Sequence, residues 1–412
     1  MNQVELARRL RHAREGCGRS QQEAADAINV PRTAITQMEA GNRSVSTLEL
    51  TKLAALYQRP VTYFLREHRQ EEEEDLLVAL HRVAPGLDND PKIKRQVDHC
   101  VAICRAGANL EQVLRREPRI GPPTFLVSVP RYPGDAVAQG EKVAEQERRR
   151  LGLGNGPLRE IGELITSQGI WASGTDLPNE ISGLFLRHPS IGLAILVNAD
   201  HPKARKRFSY AHEYAHALLD RDRTVTISRT DNASELVEKR ANAFAAVFLM
   251  PAEGIAEVLH GLDKGQPIRR EQAVYDAATG AKFEAQVRTQ PRSQTITYQD
   301  AAIIAYHFGV SYQAAVYRLR SLNYLSHADC SGLLAQEQTG KNYLQFLDLF
   351  KELESPEEKE LWDREIRGQV VHMAIEAYRR EEISRGKLLE LSKLLLIDGS
   401  TLLELAEAAR TE

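Results

Sequence analysis

Two histidines and a glutamate between residues 208 and 219 are spaced for metal-assisted hydrolysis. The run reads Phe-Ser-Tyr-Ala-His212-Glu213-Tyr-Ala-His216-Ala-Leu-Leu. In a helix, positions four apart lie one turn apart on the same face. His212 and His216 can therefore both reach one tetrahedral Zn2+ at about 2.0–2.1 Å. Glu213 is rotated about 100° from His212. Its carboxylate can reach a water at the site without ligating the metal, which is the position of a general base for hydrolysis. A third ligand is expected on a nearby helix. Glu238 opens a Glu-x-x-Ala-Asn pattern twenty-two residues after His216, which lets a following helix pack against the first and present its carboxylate. Asn242, one turn beyond Glu238, is placed to steady a ligand histidine through a hydrogen bond. Glu235, nearer the start of that helix, reads as a capping acid.

These side chains need a frame of helices and strands. Leu158–Ile165 has the pattern of an amphipathic helix. Two apolar runs, Leu184–Leu186 and Leu193–Val197, are split by His188-Pro189-Ser190 and read as a β-hairpin. One long helix carries His212 and His216. Another runs from about Ser234 to Leu249 and is stopped by Pro251. Residues 263–297 are polar and weakly patterned, which predicts a loop or insertion, and residues 298–326 return to helix.

A second constellation lies at the N-terminus. Residues 1–68 carry apolar positions at helical spacing, enough for four or five short helices, with ten Lys/Arg against seven Asp/Glu. Ser20-Gln21-Gln22-Glu23 is a capping box that starts a helix over about 21–28. Asn29-Val30-Pro31 makes a turn, and a second helix runs over about 32–39 to Ala40-Gly41, where glycine can take a left-handed cap. The run Glu-Glu-Glu-Glu-Asp at 71–75 marks a boundary. Residues 69–155 read as a helical linking region, broken by Pro-Gly at 85–86 and Pro-Pro at 122–123. Residues 327–412 read as a Leu-rich and charge-rich helical domain suited to dimerisation or sensing.

Composition bounds these readings. A chain of 412 residues with 42% hydrophobic residues can bury two or three cores. Its formal net charge of -3 gives no global pull toward nucleic acid, so any basic surface must be local. The four cysteines, Cys17, Cys100, Cys104 and Cys330, are too sparse for a disulfide scaffold and fit a reducing compartment. Cys100 and Cys104 share a helix face and read as core thiols. The N-terminus lacks the apolar core of a signal peptide, and no run of about 18 apolar residues would span a membrane. A soluble cytoplasmic protein without membrane contact is expected.

The stretch from about 156 to 326 resembles the ImmA/IrrE family of zinc peptidases. The matching pieces are Arg-Phe-Ser-Tyr-Ala-His-Glu-Tyr-Ala-His-Ala-Leu-Leu, the Val-Asn that closes the strand before it, Glu-Lys-Arg-Ala-Asn-Ala-Phe-Ala-Ala, and Phe-Leu-Met-Pro at 248–251. The family usually has Leu-Gly where this chain has Tyr214-Ala215, and often His at Asp220. Neither change touches a ligand position. The resemblance implies a gluzincin-like site of His212, His216 and Glu238 with Glu213 as base, and a repressor or antitoxin-like protein substrate cut in a stress or mobile-element response. In this architecture the hairpin over 184–197 would offer an edge strand to an extended substrate peptide. The segment from Phe308 to Leu319 resembles a second helix-turn-helix, and a similar region of the family packs beside the peptidase core.

Residues 1–68 resemble the Xre/Cro/CI helix-turn-helix family, through the elements above and Met38-Glu39-Ala-Gly-Asn-Arg. The second helix of the motif would lie in a major groove of double-stranded DNA and present Arg32, Thr33, Thr36 and Gln37. Arg can pair with guanine and Gln with adenine. The resemblance also implies a phosphate contact from Gln21 and a homodimer on a palindromic operator. The expected fold class is mainly α, with an N-terminal five-helix helix-turn-helix domain and a small α+β zinc-peptidase domain. The alternative function is a transcriptional regulator whose peptidase-like domain senses without turnover.

Overall fold

A computed structural model describes residues 3–17, 19–57, 61–65, 91–117, 119–188, 191–221, 225–229, 232, 234–264, 269–275, 282–288, 294–350 and 364–411. The chain divides into two units, Met1–Asp75 and Leu76–Glu412.

The first unit holds α1 (Gln3–Gly16), α2 (Gln21–Ile28), α3 (Arg32–Glu39), α4 (Thr47–Leu56) and α5 (Val61–Leu65). Two of them start from capping boxes. Ser20 Oγ accepts the Glu23 amide at 3.2 Å, while the Glu23 carboxylate accepts the Ser20 amide at 2.8 Å. Ser46 and Glu49 repeat the arrangement at α4. These contacts satisfy amide donors that the first helical turn leaves without partners. Asn29 ends α2 in the left-handed region at φ 57°, which asparagine tolerates better than most residues. Pro31 then stands immediately before α3. Ala24, Ala25 and Ile28 share one apolar core with Ile35, Met38, Leu50 and Leu53. The boundaries 21–28 and 32–39 expected from the capping box and turn are those of α2 and α3.

The second unit is built on a four-stranded sheet of β1 (Ile170–Thr175), β2 (Ile181–His188), β3 (Gly192–Asn198) and β4 (Val225–Arg229), in the order β1-β3-β2-β4. β1 runs parallel to β3, and β2 is antiparallel to β3 and β4. The hairpin is β2–β3, with Phe185 opposite Ile195. It occupies the middle of the sheet, so the edge-strand role expected for residues 184–197 is corrected: the edges are β1 and β4. The reason is that two further strands, paired over long sequence separations, flank the hairpin on both sides.

Side chains alternate across each strand. Ile170, Ala172, Phe185, Ile195 and Val197 face one helical layer. It contains α7 (Pro133–Leu151), α8 (Ile161–Ser167), α9 (Lys203–Leu219), α10 (Leu236–Leu249), α11 (Ala252–Gly261), α12 (Tyr298–Phe308), α13 (Tyr312–Ser321), α14 (His327–Ala335) and α15 (Glu337–Phe346). Trp171, Leu184, Leu186, Ala194 and Leu196 face the other layer. That layer is α6 (Pro91–Val113), α16 (Arg364–Arg379), α17 (Arg385–Leu394) and α18 (Gly399–Thr411).

This layering changes two expectations. α6 and α7, from the region expected to link domains, are built into opposite layers through Val101 and Cys104 on one side and Val143 and Ala144 on the other. Residues 327–412 are divided as well: α14 and α15 join the first layer, and α16–α18 cover the back of the sheet. An amphipathic helix gains most of its stability by burying its apolar face, and the exposed sheet faces offer that burial. Within the expected loop at 263–297, β5 (Arg269–Tyr275) and β6 (Lys282–Arg288) pair antiparallel. The Phe308–Leu319 segment packs into the first layer through Phe308, Val310, Ala315 and Leu319. Cys100 and Cys104 are buried core thiols, and burial pushes the Cys104 thiol pKa up. Among the described residues no single helix is long and apolar enough to cross a membrane.

Candidate metal centre and DNA-reading face

α9 lies between the sheet and α10 and is buried over most of its circumference. Polar groups in such a place must find partners. His212 Nδ1 is 2.9 Å from Asn242 Oδ1, on α10. His216 Nδ1 is 2.9 Å from Asp220 Oδ2, one turn further along the chain. Asp220 is in turn gripped by Arg240, whose Nη2 donates to Oδ1 at 2.6 Å. Burial would raise the Asp220 carboxyl, but the hydrogen bond to His216 and the Arg240 charge outweigh it and hold its pKa below the usual range. An ionised Asp220 can only accept, so His216 carries its hydrogen on Nδ1. Asn242 Oδ1 sets the same tautomer on His212. Both Nε2 atoms then face inward, where a neutral ring offers its lone pair.

The two Nε2 atoms meet a carboxylate. His212 Nε2 and His216 Nε2 are 3.2 Å apart. Glu238 Oε2 is 3.1 Å from His212 Nε2, and Glu238 Oε1 is 3.5 Å from His216 Nε2. Donors held about 2.0–2.1 Å from a tetrahedral zinc stand about 3.3 Å from one another. The two nitrogens and the nearer Glu238 oxygens therefore stand at about the spacing of donors around one zinc, although the two Glu238 distances are to different oxygens. His212, His216 and Glu238 are all buried, and they form a His-His-Glu cluster whose ligand atoms lie within 4.8 Å of one another. Burial pulls the His216 imidazole down, yet the Asp220 hydrogen bond and the charges of Glu213 and Glu238 leave its pKa raised. Glu238 is shifted the other way: burial raises it, and the two histidines bring it below the ordinary value.

Glu213 has a different environment. It is fully buried, and neither carboxylate oxygen has a hydrogen-bond partner among the described residues. Burial raises its pKa, against the pull of His212 and His216. The carboxylate rests on the backbone of β2 at Gly183, where a Cβ would stand only 2.8 Å from Glu213 Cγ and Oε1. Ser228, opposite Gly183 across β2–β4, approaches the same carboxylate without meeting hydrogen-bond geometry.

The expected residues His212, Glu213, His216, Glu238 and Asn242 are thus brought together. Three others belong with them. Asp220 had a signal, since it lies four residues after His216 and so on the same helical face. Arg240 had only its place two residues after Glu238. Gly183 had none, because the close approach of β2 to Glu213 is a tertiary fact.

In the first unit Arg32, Thr33, Thr36 and Gln37 lie exposed on α3, while Ala34, Ile35 and Met38 are buried. Gln21 is half-buried. Its Nε2 donates to Glu39 Oε2 at 2.9 Å, and its Oε1 accepts from Thr36 Oγ1 at 3.2 Å. Arg14 holds Glu39 through Nε and Nη2 at 2.7 and 3.1 Å. The Arg14–Glu39–Gln21–Thr36 chain ties α1 and α2 to α3, and it had no sequence signal.

The second unit therefore has the fold and ligand set of a metallopeptidase-like domain, and the first has the helices of a DNA-binding domain. Residues 166–274 match the family model described as IrrE N-terminal-like domain, a peptidase family, and residues 5–62 match a helix-turn-helix domain model. The chain joins a helix-turn-helix DNA-binding domain to an IrrE N-terminal-like domain, as the resemblance implied. No curated protein matches the chain.

Proposed function

We propose that this DNA-binding regulator is a zinc-dependent endopeptidase that cuts a repressor or antitoxin-like protein in a stress or mobile-element response. The observation that carries the reading is the cluster of His212 Nε2, His216 Nε2 and the Glu238 carboxylate: the nitrogens are 3.2 Å apart, Oε2 is 3.1 Å from His212 and Oε1 is 3.5 Å from His216. Zinc bound there would polarise the scissile carbonyl and lower the pKa of water. Asn242, Asp220 and Arg240 fix the two imidazole rings and their tautomers. Glu213 takes the proton of the attacking water and delivers it to the leaving amide nitrogen. A carboxylate whose pKa is raised by burial is a stronger base for that transfer.

The same burial favours a second reading. His216 and Glu213 are fully covered and His212 is only 5% exposed, so a substrate carbonyl reaches them only after the site opens. The domain would then rest closed and act on a trigger, or sense a signal without turnover.

Comparing the proteomes of cells carrying wild type and Glu213→Gln separates the two. Replacing the base should keep zinc and slow cleavage by about 10²–10⁴-fold, so an intact substrate accumulates in the variant. Identical proteomes, with gene expression lost only on Arg32→Ala, would leave the sensor reading.

A further inference from the structure

A groove of about 1010 Å³ lies between α9, α10 and α13 and reaches the candidate metal centre only through Asn242, the residue that holds His212 Nδ1. Part of its lining comes from the two helices that carry the ligands. On α9, Arg205, Phe208 and His212 are spaced by three and four residues and share one face. On α10, Lys239, Asn242 and Ala246 do the same. Asn242 both lines the groove and holds His212 Nδ1. The space lies at the upper end of the roughly 300–1,000 Å³ typical of a ligand pocket, room for a short peptide segment.

The chemistry of the lining selects among peptides. Phe208, Ala246 and the 54%-exposed Tyr317 give an apolar floor and wall. Of the six charged residues that line it, four cancel in pairs: Arg318 with Glu141 at 3.1 Å, and Lys341 with Glu337 at 3.1 Å. The remaining two, Arg205 and Lys239, are both cationic and form no ion pair among the described residues. Arg205 has only a long contact to Ser182 Oγ at 3.4 Å. The groove therefore combines an apolar lining with two cations, Arg205 and Lys239, that stand on the two helices carrying the ligand set.

We propose that this groove receives the substrate segment beside the scissile bond and selects apolar side chains accompanied by carboxylates. The inference rests on the peptidase reading above and adds a substrate class to it. Arg205 and Lys239 pair with the substrate's acids, Phe208 and Tyr317 pack on its apolar side chains, and the bound segment bears on Asn242, hence on the His212 ring.

The test measures docking without turnover. Fluorescein-labelled peptides alternating phenylalanine with glutamate, or phenylalanine with lysine, are titrated with the full-length zinc-loaded Glu213→Gln protein and followed by polarisation. The glutamate peptide should bind and the lysine peptide should not. Arg205→Glu combined with Lys239→Glu should weaken the glutamate peptide by about tenfold or more and admit the lysine peptide, because like charges across an interface suppress a partner and opposite charges recruit it. Ala246→Trp, which fills the groove, should abolish binding of both. The swap in preference is a readout that misfolding would not produce. Equal affinity for the two peptides, binding of neither, or no response to charge reversal overturns the proposal. Wild-type cleavage of the same peptides keeps the two readings apart. Charge-dependent binding without cleavage removes the peptidase reading and leaves a groove for acidic, apolar segments. Cleavage indifferent to the acids removes the groove and leaves the peptidase.

Discussion

Thirteen of the seventeen residues of α9 are buried, whereas α3 buries three of eight and leaves Arg32, Thr33, Thr36 and Gln37 in solvent. Around α9 each ligand imidazole has its second nitrogen tied down, and the tie to His216 is itself held by Arg240. Around α3 the polar chain through Arg14, Glu39 and Gln21 reaches, of the four exposed residues, only Thr36. The difference follows from what each helix has to do. A metal donor set must be desolvated and held before the ion arrives, so that little reorganisation remains. A groove-reading helix needs side chains that still reach for partners, and its scaffold has to fix only the helix axis.

Substitutions can break that contrast from the buried side first. Gly183→Ala places a methyl against the Glu213 carboxylate. Misplacing a reacting group by an ångström costs about a hundredfold, so proteolysis should fall by that order while zinc content is unchanged. Loss of zinc in this variant would mean that β2 supports the ligands and not the base. Asp220→Asn comes next. It removes the charged acceptor behind His216 and should weaken zinc by about 10–100-fold in competition with a chromophoric chelator. Unchanged affinity would show that His216 is held by packing alone. The smallest effect is expected at α3. Arg32→Ala should weaken operator binding by about tenfold, near 1.4 kcal/mol, and leave zinc and proteolysis untouched, as an electrophoretic shift and a chelator assay would show.

Much of this contrast was legible in the residues, for a physical reason. The His-Glu-x-x-His spacing, the Glu-x-x-Ala-Asn pattern and the Ser20–Glu23 capping box are local, so helical periodicity alone places their side chains. β1 was not legible. Its six residues are buried on both faces, so Ile-Trp-Ala-Ser-Gly-Thr lacks the alternation that marks a half-buried strand. β4 is five residues long and earns its place by pairing with β2. Without these two, the β2–β3 hairpin read as an edge when it is the centre of the sheet. Asp220 stands where the resembling family often has histidine, and the structure places it against His216. α6 and α7 read as linkers because nothing in a single amphipathic pattern says which distant face will cover it.

The central claim is that His212, His216 and Glu238 hold one metal ion while Glu213 does not. Zinc analysis of the purified full-length protein by inductively coupled plasma mass spectrometry tests it. The account predicts stoichiometric zinc in wild type and in Glu213→Gln, and its loss in His216→Ala and Glu238→Ala. Zinc absent from wild type, or retained in full by Glu238→Ala, would contradict it.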